Sequence, residues 1–173
     1  MRRIGMAMLL AIQLGACWGV PDNYPTLTLD EKIAAYERHL KWKGAVNSDN
    51  AQSWIAWHGH EAAQRMVPYL RQEKRQLPLH EAIQIVWDVS SRGCDLRGSE
   101  AESALRELLR TKRQVMDNVE LIAAEAAVGS IERNDPLEPR LLYGGPEGPC
   151  ERAYRAKEGE TKREGATEPG SNL

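Results

Sequence analysis

Four residues near the middle of the chain, His58-Gly59-His60-Glu61, are the one local cluster of ligand-type side chains. A metal centre needs imidazole nitrogens and a carboxylate oxygen converging within about 2 Å of one ion. On a helix, side chains two positions apart point about 200° apart. His58 and His60 therefore converge only if Gly59 breaks the helix. The stretch His60-Glu61-Ala62-Ala63-Gln64 also misses the zinc-binding spacing His-Glu-x-x-His, because Gln64 stands where the second imidazole is needed. His58, His60 and Glu61 are thus weak metal candidates. The expected arrangement has His58 packed near Trp54 and His60 capping the next helix.

The remaining chemistry is sparse. His80 follows Pro78 in a helix first turn, and His39 sits among Glu37, Arg38 and Lys41 on a charged face. There is no Gly-x-Ser-x-Gly, no phosphate-cradling glycine loop and no Cys-x-x-Cys-His, so no cofactor is implied. Glu100 and Glu102 fall in a helix first turn, where carboxylates favour the helix dipole. Trp42, Trp54, Trp57 and Trp87 offer either a sugar- or peptide-binding platform or a core. The chain has no Phe, which favours the core, with Trp57 the best candidate for exposure because it lies off the main apolar stripe.

The N-terminus carries an address. Arg2 and Arg3 precede the apolar run Ile4 to Ile12, and Leu14-Gly15-Ala16-Cys17 follows. This is the pattern of a secretory signal. Its apolar run of about ten residues is too short for a bilayer span of about 20. The last four residues resemble the lipobox of bacterial lipoproteins. The resemblance implies that residues 1–16 are removed and that Cys17 becomes an N-terminal cysteine bearing a thioether-linked diacylglycerol, with its amine acylated as well. Two or three acyl chains hold a protein stably on a membrane, whereas one does not. Trp18 follows the cysteine, where enterobacterial-type lipoproteins kept at the inner membrane carry aspartate. The resemblance therefore favours the outer membrane, facing the periplasm, over the inner membrane.

Removing Arg2 and Arg3 with the signal leaves 21 basic against 25 acidic side chains, a formal charge of −4. That mild balance does not support nucleic-acid binding, which uses a clustered basic face. With Cys17 assigned to lipid, Cys94 and Cys150 remain. In an oxidising compartment an even pair reads as a disulfide; two buried free thiols are the alternative.

The elements that would position these residues are helical. Residues 17–28, rich in turn formers, read as a tether. Thr28 and Glu31 form a capping box ahead of Leu29, Ile33, Tyr36 and Leu40 at helical spacing, with Gly44 as a stop. Asn47-Ser48-Asp49 offers the next cap. Ala51, Trp54 and Ile55 share a face, then Ala62, Ala63, Met66, Val67 and Leu70, where Pro68 should kink or divide the helix. Pro78 opens a helix with Leu79, Ile83, Val86 and Trp87 inward, ended by Gly93. A second capping box, Ser99 with Glu102, starts a stretch free of glycine and proline to Val128. In it Ala101, Ala104, Leu105, Leu108, Val115, Val119, Ile122 and Ala126 keep one period. It is either one helix of about 30 residues or two broken near Asp117-Asn118.

Residues 57–70, from Trp57 through Pro68-Tyr69-Leu70, faintly resemble a HEAT-type helix pair, though no second copy recurs at a period of about 35–45. Strand signals are absent. The tail 144–173 starts with Gly144-Gly145-Pro146 and continues with mixed charges and few apolar groups, which predicts disorder. The expectation is an all-α compact bundle of five to six helices over 29–143, possibly built of stacked helix pairs. Its function reads as a lipid-anchored cell-envelope module that binds another envelope protein. The alternatives are a small hydrolase or metal enzyme using His58, His60 and Glu61, and a small-ligand binder with a Trp-lined groove.

Overall fold

The computed structural model describes residues 23–43, 48–134 and 148–165. The signal segment, Cys17, Gly44, Asn47 and the side chain of Trp42 lie outside the described residues. Seven α-helices are present among the described residues, one more than the upper expectation: α1 (Leu29–Lys43), α2 (Ser48–Ala56), α3 (His60–Leu70), α4 (Leu79–Ser91), α5 (Glu100–Lys112), α6 (Asn118–Arg133) and α7 (Pro149–Gly165). No strand occurs among these residues.

The first six helices form three successive pairs. α1 packs on α2, α3 on α4, and α5 on α6. The pairs stack, with α4 between α2 and α6 and with α3 against α5. Stacked helix pairs are therefore the architecture. α4 sits at its centre, which explains why Ala82, Ile83, Ile85, Val86 and Val89 are all buried around its circumference. α1 buries Leu29, Ile33 and Tyr36 as its spacing predicts, and α3 buries Ala62, Ala63, Met66, Val67 and Leu70.

Three details differ from expectation. Pro68 does not divide α3, which ends at Leu70, two residues later. In this last turn a proline removes only one backbone bond, and the Pro68 carbonyl accepts from the amides of Glu73 and Lys74 at 2.9 and 3.1 Å. Residues 24–26, expected to belong to a tether, are structured. Tyr24 begins a short 3-10 turn, is 1% exposed, and its hydroxyl donates to the Lys32 carbonyl at 3.0 Å. The tail segment 149–165, expected to be disordered, is the helix α7.

α7 reaches the body by covalent and ionic ties that composition does not reveal. Cys94 and Cys150 are disulfide-bonded. Beside the bond, Arg92 donates to Glu151 at 2.8 Å and to the Ser53 hydroxyl, all three residues being buried. Glu151 also accepts from the Gly148 amide and so caps the start of α7.

The stretch 100–133 is two helices. Asp117 accepts from the Glu120 amide at 2.8 Å while the Glu120 carboxylate accepts from the Asp117 amide at 3.3 Å, a reciprocal cap that starts α6. The break resets the helical phase. α6 buries Ala124, Ala127, Val128 and Ile131. Val115, Val119 and Ile122, which a single period places with the core, stand 78%, 67% and 67% exposed.

Candidate functional site

The two central histidines face different neighbours. His58 lies in the turn after α2, and its Nε2 is 3.0 Å from the Lys32 ammonium. Its ring meets Trp57 edge-on, with centroids 5.2 Å apart, so Trp57 is its aromatic contact where Trp54 was expected. Lys32 is 1% exposed and sits over both Trp54 and Trp57, 5.7 and 5.6 Å from the ring centroids. Burial holds the Lys32 pKa below the ordinary lysine value. His58 is lowered as well, first by burial and then by the Lys32 charge, against a smaller opposing pull from Glu61. The indole Nε1 of Trp57 is buried without a hydrogen-bond partner among the described residues. Trp57 is half-buried beside Gly148 rather than displayed as a platform.

His60 does not cap α3. The cap position is Gly59, at φ 64°, ψ −130°, and His60 is the first helical residue. The positive φ turns the chain so that His60 faces the Cys94–Cys150 bond: a ring nitrogen of His60 and the two sulfurs all lie within 4.8 Å of one another. His58 and Glu61 are not part of that group. Glycine is needed at position 59 for a second reason, because a Cβ there would stand 2.9 Å from Cys150 Sγ and 3.2 Å from Cys94 Sγ.

Sequence reasoning missed Glu81. Its carboxylate, in the first turn of α4, is buried and accepts from the Tyr36 hydroxyl at 2.5 Å and from the Gln52 amide. His80, half exposed, approaches the other carboxylate oxygen at 3.2 Å. One acid thereby joins α1, α2 and α4. The only sequence signal is a glutamate in a helix first turn, where exposed acids are ordinary. His39, expected on a solvated face, is half-buried.

Among the described residues, the exposed large apolar side chains lie on the outer face of α6 and the turn before it. At 100° per residue, Val119, Ile122, Ala126 and Gly129 line the side opposite Ala124, Ala127, Val128 and Ile131. Val119 and Ile122 are exposed, Ala126 and Gly129 half-buried, and Val115 adds a third exposed branched side chain from the α5–α6 turn. Exposed charges of both signs surround it, Lys112, Arg113, Asp117 and Glu125, with Arg113 paired to Glu125 at 2.6 Å. An apolar centre inside a mixed-charge rim is the anatomy of a protein–protein contact.

No helix among the described residues is long and apolar enough to cross a membrane. Comparison with protein-family models, with curated proteins and with solved structures found no match.

Proposed function

We propose that this protein is a lipid-anchored helical module of the cell envelope that acts by binding another envelope protein through the outer face of α6. The observation that carries the reading is the exposed set Val115, Val119 and Ile122 on the last of the stacked pairs. A stack of helix pairs stays soluble when its terminal pair has a polar outer face; here Val119 and Ile122 interrupt that face. The mixed-charge rim favours a protein surface over an anionic lipid surface, which would select a uniformly basic rim. The anchor at Cys17 and outer-membrane delivery rest on the lipobox resemblance. An anchor confines the module near other envelope proteins and so raises its effective concentration for a weak contact.

The test is photo-crosslinking in intact cells, with a photoreactive residue at position 119 and a control at exposed position 107. A discrete adduct with one other envelope protein from position 119, absent from 107 and lost on Ile122→Glu in a folded chain, supports the reading. No adduct, an adduct with phospholipid, or an adduct of two copies of this chain overturns it.

A further inference from the structure

We propose that His60 and the reduced Cys94/Cys150 pair form a binding site for a thiophilic divalent cation, with zinc as the fitting ion. Two thiolates and an imidazole are a common zinc donor set, which leaves the fourth tetrahedral position for water or a carboxylate. The fold brings these three together from separate places: His60 from the start of α3, Cys94 from the loop after α4, and Cys150 from the first turn of α7. In the bonded form the two sulfurs are joined and a ring nitrogen of His60 lies within 4.8 Å of both. Around one zinc ion, atoms bonded at 2.0–2.3 Å stand about 3.5–3.7 Å apart. Reduction lets the two sulfurs part to that spacing, their Cα atoms being 5.0 Å apart, and exposed His60 adjusts by rotating its side chain.

The surroundings supply the rest of a metal centre. Asp95 lines the same cleft as His60, its carboxylate accepting from Arg97 at 2.6 and 2.9 Å, and would have to leave Arg97 to supply a fourth oxygen. A cleft of about 440 Å³, lined by His60, Asp95, Cys150 and Tyr154 among others, gives an ion a route in from solvent. Gly59 leaves the sulfurs room on the body side.

Bond and ion use the same sulfur electron pairs, so they exclude each other. A dithiol reductant converts the disulfide to two thiols and leaves as its own disulfide, two electrons and two protons passing to the cysteines. Zinc then displaces both thiol protons. In an oxidising envelope the bonded form prevails; the metal form belongs to the reduced chain. This inference is independent of the α6 contact.

Cobalt(II) is the probe, because its spectrum reports thiolate ligation and tetrahedral geometry. The full chain carrying Cys17→Ser retains Cys94 and Cys150 as its only thiols. After reduction and anaerobic removal of the dithiol, it should bind one Co²⁺ with sulfur-to-cobalt charge-transfer bands that Zn²⁺ abolishes. His60→Gln should weaken binding at least tenfold while leaving the helical circular dichroism unchanged, and Asp95→Asn should weaken it by less. The oxidised chain should give no charge-transfer bands. Equal affinity in His60→Gln, binding by the oxidised chain, or a reduced chain that has lost its helical signal and binds no Co²⁺ each overturns the proposal.

Discussion

Gly59 illustrates how one residue serves two constraints. Its backbone, at φ 64° and ψ −130°, lies where side chains are not accommodated, and the disulfide occupies the space a Cβ would take. Gly59→Ala is expected to cost about 2–3 kcal/mol, measured by chemical denaturation, and to slow formation of the Cys94–Cys150 bond. A variant of unchanged stability would show that the turn relaxes at no cost. Lys32 makes the opposite case, a charge where burial opposes it. Folding lowers the pKa of both Lys32 and His58, so the unfolded chain binds protons more tightly than the folded one at these two groups. The stability they confer is therefore greatest above the ordinary lysine pKa and falls as pH drops, His58 adding its loss below its ordinary value of 6.5. Lys32→Met, which fits beside Trp54 and Trp57 without a charge, should raise the melting temperature at pH 7 and, by removing the charge that helps depress His58, lessen the loss below pH 6.5. A lower melting temperature in that variant would show that the cation–aromatic contacts outweigh desolvation.

At the scale of elements, the turn between α5 and α6 decides what the last pair displays. The Asp117–Glu120 cap restarts the helix, and the run of apolar residues that reads as one stripe is divided between two faces. Asp117→Ala should cost about 1 kcal/mol of stability and fray the first turn of α6, seen as faster amide exchange there. Ile122→Glu, by contrast, is expected to change stability by less than about 0.5 kcal/mol, as exposed substitutions do, while improving solubility. A loss of several kcal/mol would mean that Ile122 is part of the core. The helices themselves were legible because spacing, caps and prolines act over a few residues. The phase of α6 was not, because a periodic pattern does not record the reversal of the chain between two helices.

At the scale of the whole molecule, the proposed anchor and the disulfide concern opposite parts of the sequence. The resemblance at Leu14-Gly15-Ala16-Cys17 predicts that Cys17→Ser abolishes incorporation of labelled fatty acid and releases the protein from membranes. Unchanged labelling would remove the anchor from the account. The start of α7 is held by the Cys94–Cys150 bond, which spans 56 residues, and by the buried Arg92–Glu151 pair. Closing a loop of that length stabilises a chain by roughly 4 kcal/mol in the entropic description.

Sequence alone determined the all-helical class, the positions of α1 to α5 and the inward faces of α1, α3 and α4, and it offered Cys94 and Cys150 as a possible pair, which the structure joins. These follow from period, capping and arithmetic, which are local or combinatorial properties. Tertiary structure decided the rest. It sent His58 to Lys32 and His60 to the sulfurs, buried Glu81 between three helices, and ordered the polar segment 149–165 as α7. The physical reason is the same in each case. A turn such as Gly59, or a tie such as Arg92–Glu151, sets directions and contacts between residues far apart in the chain. Those free energies are absent from any local window, so composition made the tail look unable to order itself while its partners lay some 50 residues away.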